Sequence, residues 1–227
     1  MAEKRCYTSE VFLLIGVRRV QSATENIIIE ARSISHEYDD RLLFEPLDLT
    51  IRAGELLALS GPNGVGKSTL LRCLAGLILP YQGDVLRPAG FSCAYLGHGL
   101  GLRLSLSGLD NLSFAIGLFA GQHEAVKELV QQAGLERIID APVAQYSAGQ
   151  RKRLALIRQV CLNQALWLLD EPASNLDQDG RAWMVQLCQQ HLAAGGAIVM
   201  AHHGALPDEL CAAAQLQLKA ASLDGFH

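Results

Sequence analysis

Charge is scarce in this sequence, and long apolar runs are missing. Asp, Glu, Lys and Arg make up 19% of the 227 residues and the formal net charge is −4, so nothing draws a polyanion globally and no nucleic acid partner is expected. Apolar stretches such as Phe114 to Ala120 fall far below the ~18 residues that span a bilayer, and no transmembrane helix is expected. The six cysteines show no C-x-x-C and no zinc-ligand spacing, which favours buried, reduced thiols in a cytosolic setting over a metal ribbon or a haem-attachment site. Internal repeats and low-complexity linkers are also missing, which excludes a solenoid. Val11 to Val17 is apolar but short, Arg18 and Arg19 follow it, and no A-x-A site closes it. Residues 1 to 26 therefore read as a poorly ordered N-terminal extension, ahead of a single domain over 27 to 227.

What is present alternates between strand and helix patterns. Ile27 to Ala31 reads as a strand, His36 to Tyr38 leads into a polar turn at Asp39, Asp40 and Arg41, and Leu47 to Ile51 alternates again, which together predict a small antiparallel sheet. Glu55 to Ser60 is a short buried strand, followed by a Gly-rich loop and a helix from Ser68 to about Leu79, stopped by Pro80. From Leu104 to Ala133 the pattern is helical, with Asp110 and Asn111 as N-caps and Gly134 as terminator, and this predicts a helical insert over about 99 to 150. A helix from Ser147 through Cys161, a strand at Leu166 to Leu169, a helix at Gly180 to Ala193 and a strand at Ile198 to Ala201 complete the alternation. Strands alternating with helices imply an α/β fold with a parallel sheet covered on both faces. Residues 206 to 227 read as a last strand or helix against the core.

Three segments carry chemistry. Gly61-Pro62-Asn63-Gly64-Val65-Gly66-Lys67-Ser68 matches G-x-x-x-x-G-K-[ST] between a strand and a helix, a pattern that would arise by chance roughly three times in a thousand chains of this composition. Its glycines let successive N–H groups turn toward phosphate oxygens, and the helix that follows adds about half a positive charge. Lys67 is expected to reach the β and γ phosphates, Ser68 to offer its hydroxyl to Mg²⁺, and Thr69 to touch the α-phosphate. Leu166-Trp167-Leu168-Leu169-Asp170-Glu171 is a buried strand ending in two carboxylates. Asp170 would hold the Mg²⁺ shell and Glu171 would act as general base toward water; a helix-capping pair ahead of Pro172 is the alternative. Tyr146-Ser147-Ala148-Gly149-Gln150 is a small-residue turn opening a long helix, and so a second anion site. Arg151, Lys152 and Arg153 follow it; most of that charge reads as a solvated helix face, and the rest as support for the turn or contact with a partner.

Taken in order, these segments resemble the ATP-binding cassette (ABC) family of P-loop NTPases, whose pattern is Walker A, Q-loop, LSGGQ-type signature, Walker B with a catalytic Glu, D-loop and switch His. The resemblance covers residues 27 to 205. It implies an ABC-type nucleotide-binding domain with a small antiparallel β subdomain and a helical insert, ATP and Mg²⁺ as ligands, and a head-to-tail homodimer. In that dimer Ser147, Ala148, Gly149 and Gln150 of one copy cap the γ-phosphate held by Lys67 of the other. Tyr38 matches the aromatic that stacks on adenine, although an ordinary half-buried sheet tyrosine reads equally well. Ser174-Asn175-Leu176-Asp177 matches the D-loop and places Asp177 across the dimer interface. His202 and His203 stand where the family has Thr-His; His203 is taken as the γ-phosphate sensor, with a one-residue slip left open. Tyr95-Leu96-Gly97-His98 puts His98 where most cassettes carry the Q-loop glutamine, and a histidine there can still donate to water near Mg²⁺.

His98, Gly99-Leu100-Gly101, the Ser-Ala-Gly-Gln signature and Trp167 inside Walker B narrow the resemblance to the cytochrome c maturation ATPases of the family. That implies a peripheral ATPase on the cytoplasmic face of the bacterial inner membrane, paired with a CcmB-like permease and CcmC-like and CcmD-like haem-handling subunits. Its turnover would drive haem export or release of a haem-loaded chaperone. Three alternatives stand beside this reading: the ATPase of another small ABC transporter, a non-transport ABC clamp, and a catalytically silent nucleotide-binding module.

Overall fold

Two sheets of different character divide the work. In the computed structural model the residues described are 26–39, 41–119, 126–204, 206–207, 209–210 and 214–221. The expectations for residues 1 to 25, Asp40, Cys6, Cys211 and the chain end from residue 222 lie outside them. The first sheet is antiparallel. β1 (Ile27–Tyr38) and β2 (Arg41–Arg52) pair from Ile27 opposite Arg52 to Tyr38 opposite Arg41, and β4 (Gln82–Leu86) lines the other side of β1. β1 runs well past the apolar stretch that marks its start. A register shift between Ala31 and Ile34, with Ser33 at φ 47°, interrupts the simple alternation midway, and Ile34 and Ser35 then re-enter the core.

The second sheet is parallel, in the order β5 (Cys93–Leu96), β6 (Leu166–Asp170), β7 (Ala197–Ala201), β3 (Leu56–Ser60) and β8 (Ala214–Gln217). Every residue of β6 and β7 is buried, as continuous apolar runs covered on both faces should be. On one face Leu57, Leu59, Leu168 and Val199 pack against α1 (Lys67–Ala75) and the antiparallel sheet through Leu70, Ile29 and Phe44. On the other, Leu56, Trp167 and Leu169 meet α2 (Gly108–Phe119), α3 (Val126–Gln132), α4 (Ala148–Cys161) and α5 (Gln178–Ala193). In the parallel register Ala201 lies opposite both Leu59 and Asp170, so the loops after β3, β6 and β7 leave the sheet from one edge. That carboxyl edge is where an open α/β sheet gathers ligand-binding loops.

At two helix ends the residue that stops or caps the helix differs from the sequence expectation. α1 stops at Ala75, short of Leu79, because Gly76 takes the left-handed conformation at φ 73° and caps the carbonyls of Arg72 and Cys73. At the start of α2 the cap is Ser107: its Oγ accepts the Asp110 N–H at 3.0 Å and donates to the Asp110 carboxylate at 2.6 Å. Asn111 is instead a buried clamp, its amide donating to the carbonyls of Arg103 and Ser107 and accepting from the Arg103 N–H.

His191, in the last turn of α5, stacks on Trp167 with centroids 4.0 Å apart and rings 8° from parallel. Burial pushes its pKa down to about 4. Between that value and the ordinary 6.5 the unfolded chain binds the extra proton, so the stability carried by neutral His191 is complete above pH 6.5 and is lost as the pH falls toward 4. The loss should be on the order of 3 kcal/mol. His191→Phe, which keeps a ring on Trp167, is expected to flatten that part of the acid-unfolding profile. A variant as acid-sensitive as the parent over pH 4 to 6.5 would remove His191 from the account.

Candidate functional site

The loop between β3 and α1 is shaped by Gly66. It sits at φ 103°, and a Cβ there would lie 2.7 Å from the Phe44 ring. No other residue both takes that conformation and fits against β2. The turn delivers Lys67 as the first residue of α1. Lys67 is 6% exposed, and its Nζ donates to the carbonyls of Gly61 at 2.7 Å and Pro62 at 3.0 Å. The ammonium is thus held at the mouth of its own loop, above the N-terminus of α1.

Around it Tyr38, Asn63, Gly64, Gly66, Ser68, Thr69, His98, Glu171 and His203 line one open cleft of about 580 Å³. Pro62 and Val65 line an adjoining recess with Tyr38, Asp39 and Arg41. Tyr38 is 67% exposed at the end of β1, so it is a projecting ring and not a half-buried sheet tyrosine. Two histidine–carboxylate contacts cross the cleft. His203 Nε2 lies 2.8 Å from Glu171 Oε1, and His98 Nδ1 lies 3.3 Å from Asp170 Oδ2. His203 is therefore the histidine of the adjacent pair that meets Glu171, while burial lowers the pKa of His202.

Asp170 is 2% exposed at the end of β6. A divalent cation here would find the Asp170 carboxylate and the Ser68 hydroxyl, both hard oxygen donors. Among the described residues no cluster of three His, Cys, Asp or Glu forms a protein cage for a metal. That donor set suits Mg²⁺, which typically takes one or two protein oxygens and completes its shell from phosphates and water.

Ser147, Gly149, Gln150 and Asp177 do not join this cleft. They line a separate cavity of about 400 Å³ with Arg153 and Asn175, and the two sets share no residue. Ser147 caps α4 through a capping box: its Oγ accepts the Gln150 N–H, and Gln150 Oε1 accepts the Ser147 N–H. Ala148 is the first residue of α4. A Cβ on Gly149 would come within 2.9 Å of the Asn175 carbonyl, so the turn packs directly on the segment leading to Asp177. Asp177 caps α5. The Gly180 N–H and then Arg153 hold its carboxyl below the ordinary range.

The basic triplet after the signature turn is not a solvated face. Arg151 donates to the carbonyls of Val143 and Ala144, bracing the chain ahead of Ser147. Arg153 joins the Ala133 carbonyl to Asp177. Lys152 is 3% exposed, and its Nζ donates to the Glu171 carbonyl at 3.1 Å. Helical spacing carried the signal: Lys152 shares its face with Leu156 and Gln159, both buried. Ser174, which the sequence marks only as the first residue of the D-loop match, donates its Oγ to the same carbonyl at 2.9 Å.

Residues 44–174 match the family model described as "ABC transporter". Among curated proteins, the cytochrome c biogenesis ATP-binding export protein CcmA of Xanthomonas campestris pv. campestris is 39% identical over 204 residues, covering 86% of this chain and 95% of the relative. The protein of the same name from Salmonella typhi is 39% identical over 190 residues, 79% of this chain and 91% of the relative. A solved ATP-binding subunit of an ABC transporter superposes with a TM-score of 0.69 at 26% identity, over 77% of this chain and 79% of its own.

Proposed function

Because the chain belongs to the ABC transporter family and is an ATP-hydrolysing protein of that kind, we propose that it powers a membrane complex of c-type cytochrome biogenesis, coupling ATP turnover to haem export or to release of a haem-loaded chaperone. The observation that carries this reading is the extent of the likeness to the CcmA proteins. It runs over 86% of the chain at 39% identity and so is not confined to the nucleotide-binding motifs that all cassettes share. Together with a CcmB-like permease and CcmC-like and CcmD-like subunits, the protein would sit on the cytoplasmic face of the inner membrane; among the described residues no helix is long and apolar enough to cross it.

In the proposed mechanism the backbone N–H groups of residues 61 to 69 and the α1 N-terminus receive the phosphates, Lys67 neutralises charge at the β and γ positions, and Tyr38 stacks on the base. Ser68 and Asp170 would hold Mg²⁺, which when bound would draw charge from the phosphate oxygens. Glu171 accepts the proton of the water that adds to the γ-phosphorus as the bond to the β-phosphate oxygen breaks. His203, 2.8 Å from Glu171, orients that carboxylate and senses the γ-phosphate, and His98 takes the Q-loop position beside Asp170. The Ser147 turn opens in a different cavity from Lys67, so it serves the nucleotide of a second copy. ATP then closes a head-to-tail dimer, with Asp177 at the interface, and hydrolysis reopens it. The presence of Lys67, Asp170, Glu171 and His203 around one cleft disfavours a catalytically silent module.

Two experiments bear on the reading. Purification of the complex from detergent should bring down a haem-handling permease assembly; a sugar or amino-acid permease would reject the cytochrome assignment and leave the ATPase intact. Tyr38→Ala removes a stacking surface of the kind worth about 1–3 kcal/mol. It is expected to raise KM for ATP roughly tenfold with kcat nearly unchanged, and an unaltered KM would return Tyr38 to an ordinary sheet residue.

A further inference from the structure

Glu171 occupies an unusual backbone position. Its φ is 51°, in the left-handed region that a side chain other than glycine enters at a cost of about 1–3 kcal/mol, and only where the surroundings over-determine it. Here they do. The Glu171 N–H donates to the Ala201 carbonyl of β7 at 3.0 Å. Its own carbonyl accepts from the Ser174 N–H at 3.2 Å, from Ser174 Oγ at 2.9 Å and from Lys152 Nζ at 3.1 Å. The two Ser174 bonds are local, closing the turn three residues on. Lys152 alone among these carbonyl donors comes from another element, α4, one and a half turns from the Ser147 cap.

A buried ammonium is an expensive way to satisfy one carbonyl. Taking a lysine to 3% exposure carries a desolvation cost that a neutral donor would avoid, and burial does lower the pKa of Lys152 while Asp170 and Glu171 pull it back up. A packed methionine would fill similar space without that cost. The expense has a return in function: one positive charge beneath two adjacent carboxylates, bonded to the peptide that aims the second of them.

We infer that Lys152 is a positioning residue for ATP hydrolysis, its buried ammonium holding the Glu171 peptide in the left-handed conformation that directs the Glu171 carboxylate into the cleft. This rests on the reading of Glu171 as general base. Lys152 itself does not line the cleft and acts through Glu171.

The test compares Lys152→Met, Ser174→Ala and Glu171→Gln in the full chain, measuring phosphate release against ATP concentration and thermal unfolding. Lys152→Met should lower kcat at least about tenfold and leave KM for ATP within threefold, because the ammonium acts on the Glu171 peptide and not on the nucleotide. Ser174→Ala removes a second donor to the same carbonyl and should lower kcat in the same direction with KM unmoved, which keeps the inference testable if the methionine variant does not fold. A Lys152→Met protein with kcat within twofold of the parent, or one that loses kcat only with a matching loss of Tm and rise in KM, overturns the positioning role. Full turnover in Glu171→Gln would remove the base assignment itself. A silent Glu171→Gln beside an unimpaired Lys152→Met would defeat this inference alone.

Discussion

Lys67→Ala is expected to lower ATP turnover by at least about 10², the scale on which a preorganised donor to a transferring phosphoryl group is lost. The size of the effect follows from where the amine sits. Its Nζ is held at the loop mouth by the carbonyls of Gly61 and Pro62, and its side chain is almost wholly buried, so the charge needs little reorganisation to meet the β and γ phosphates. Alanine leaves Gly66 in place and removes the charge together with its two hydrogen bonds to the loop. The loss should appear in phosphate release at saturating ATP and in nucleotide affinity together, since the amine serves bound ATP and the transition state alike. Near-normal turnover would discard the assignment of residues 61 to 68 as the phosphate loop.

Glu171→Gln should remove about 10² to 10⁴ of the rate, the range for a lost general base, while leaving ATP binding in place. The substitution is nearly isosteric, and the amide keeps an oxygen able to accept from His203 at the present 2.8 Å separation. Only the proton acceptor is gone. The expected signature is therefore twofold: turnover collapses, and a dimer loaded with ATP accumulates on sizing because hydrolysis no longer reopens it. Normal hydrolysis by this variant would move the base elsewhere. His98, 3.3 Å from Asp170, would not inherit the task without a change in the cleft.

The proposed nucleotide site is legible in the sequence because it resides in main-chain geometry that glycine and small residues encode locally. Gly66 before Lys67, two carboxylates closing an apolar strand and Ser147 three residues before Gln150 each leave a short-range signature, and the parallel sheet then sets the loops after β3, β6 and β7 along one edge. What escaped depends on distant partners. Most of the basic triplet reads as solvated because charge usually is, yet Arg151, Lys152 and Arg153 each bond carbonyls from other segments, and among the three only the helical phase of Lys152 marks it as buried. The apolar run marks β1 only as far as Ala31, because the register shift near Ser33 breaks the period on which strand recognition relies. Pro80 is the conspicuous stop after α1 in the sequence, but Gly76 ends the helix one turn earlier.

In the proposed mechanism each ATP lies between two copies of the chain, cradled by the phosphate loop of one and the Ser147 turn of the other. A structure of Glu171→Gln with ATP and Mg²⁺ addresses it directly. Two copies related head to tail are expected, with Ser147 Oγ of each within about 3 Å of the γ-phosphate bound at Lys67 of the other. ATP bound to a lone molecule, with its own Ser147 turn facing solvent, would contradict it.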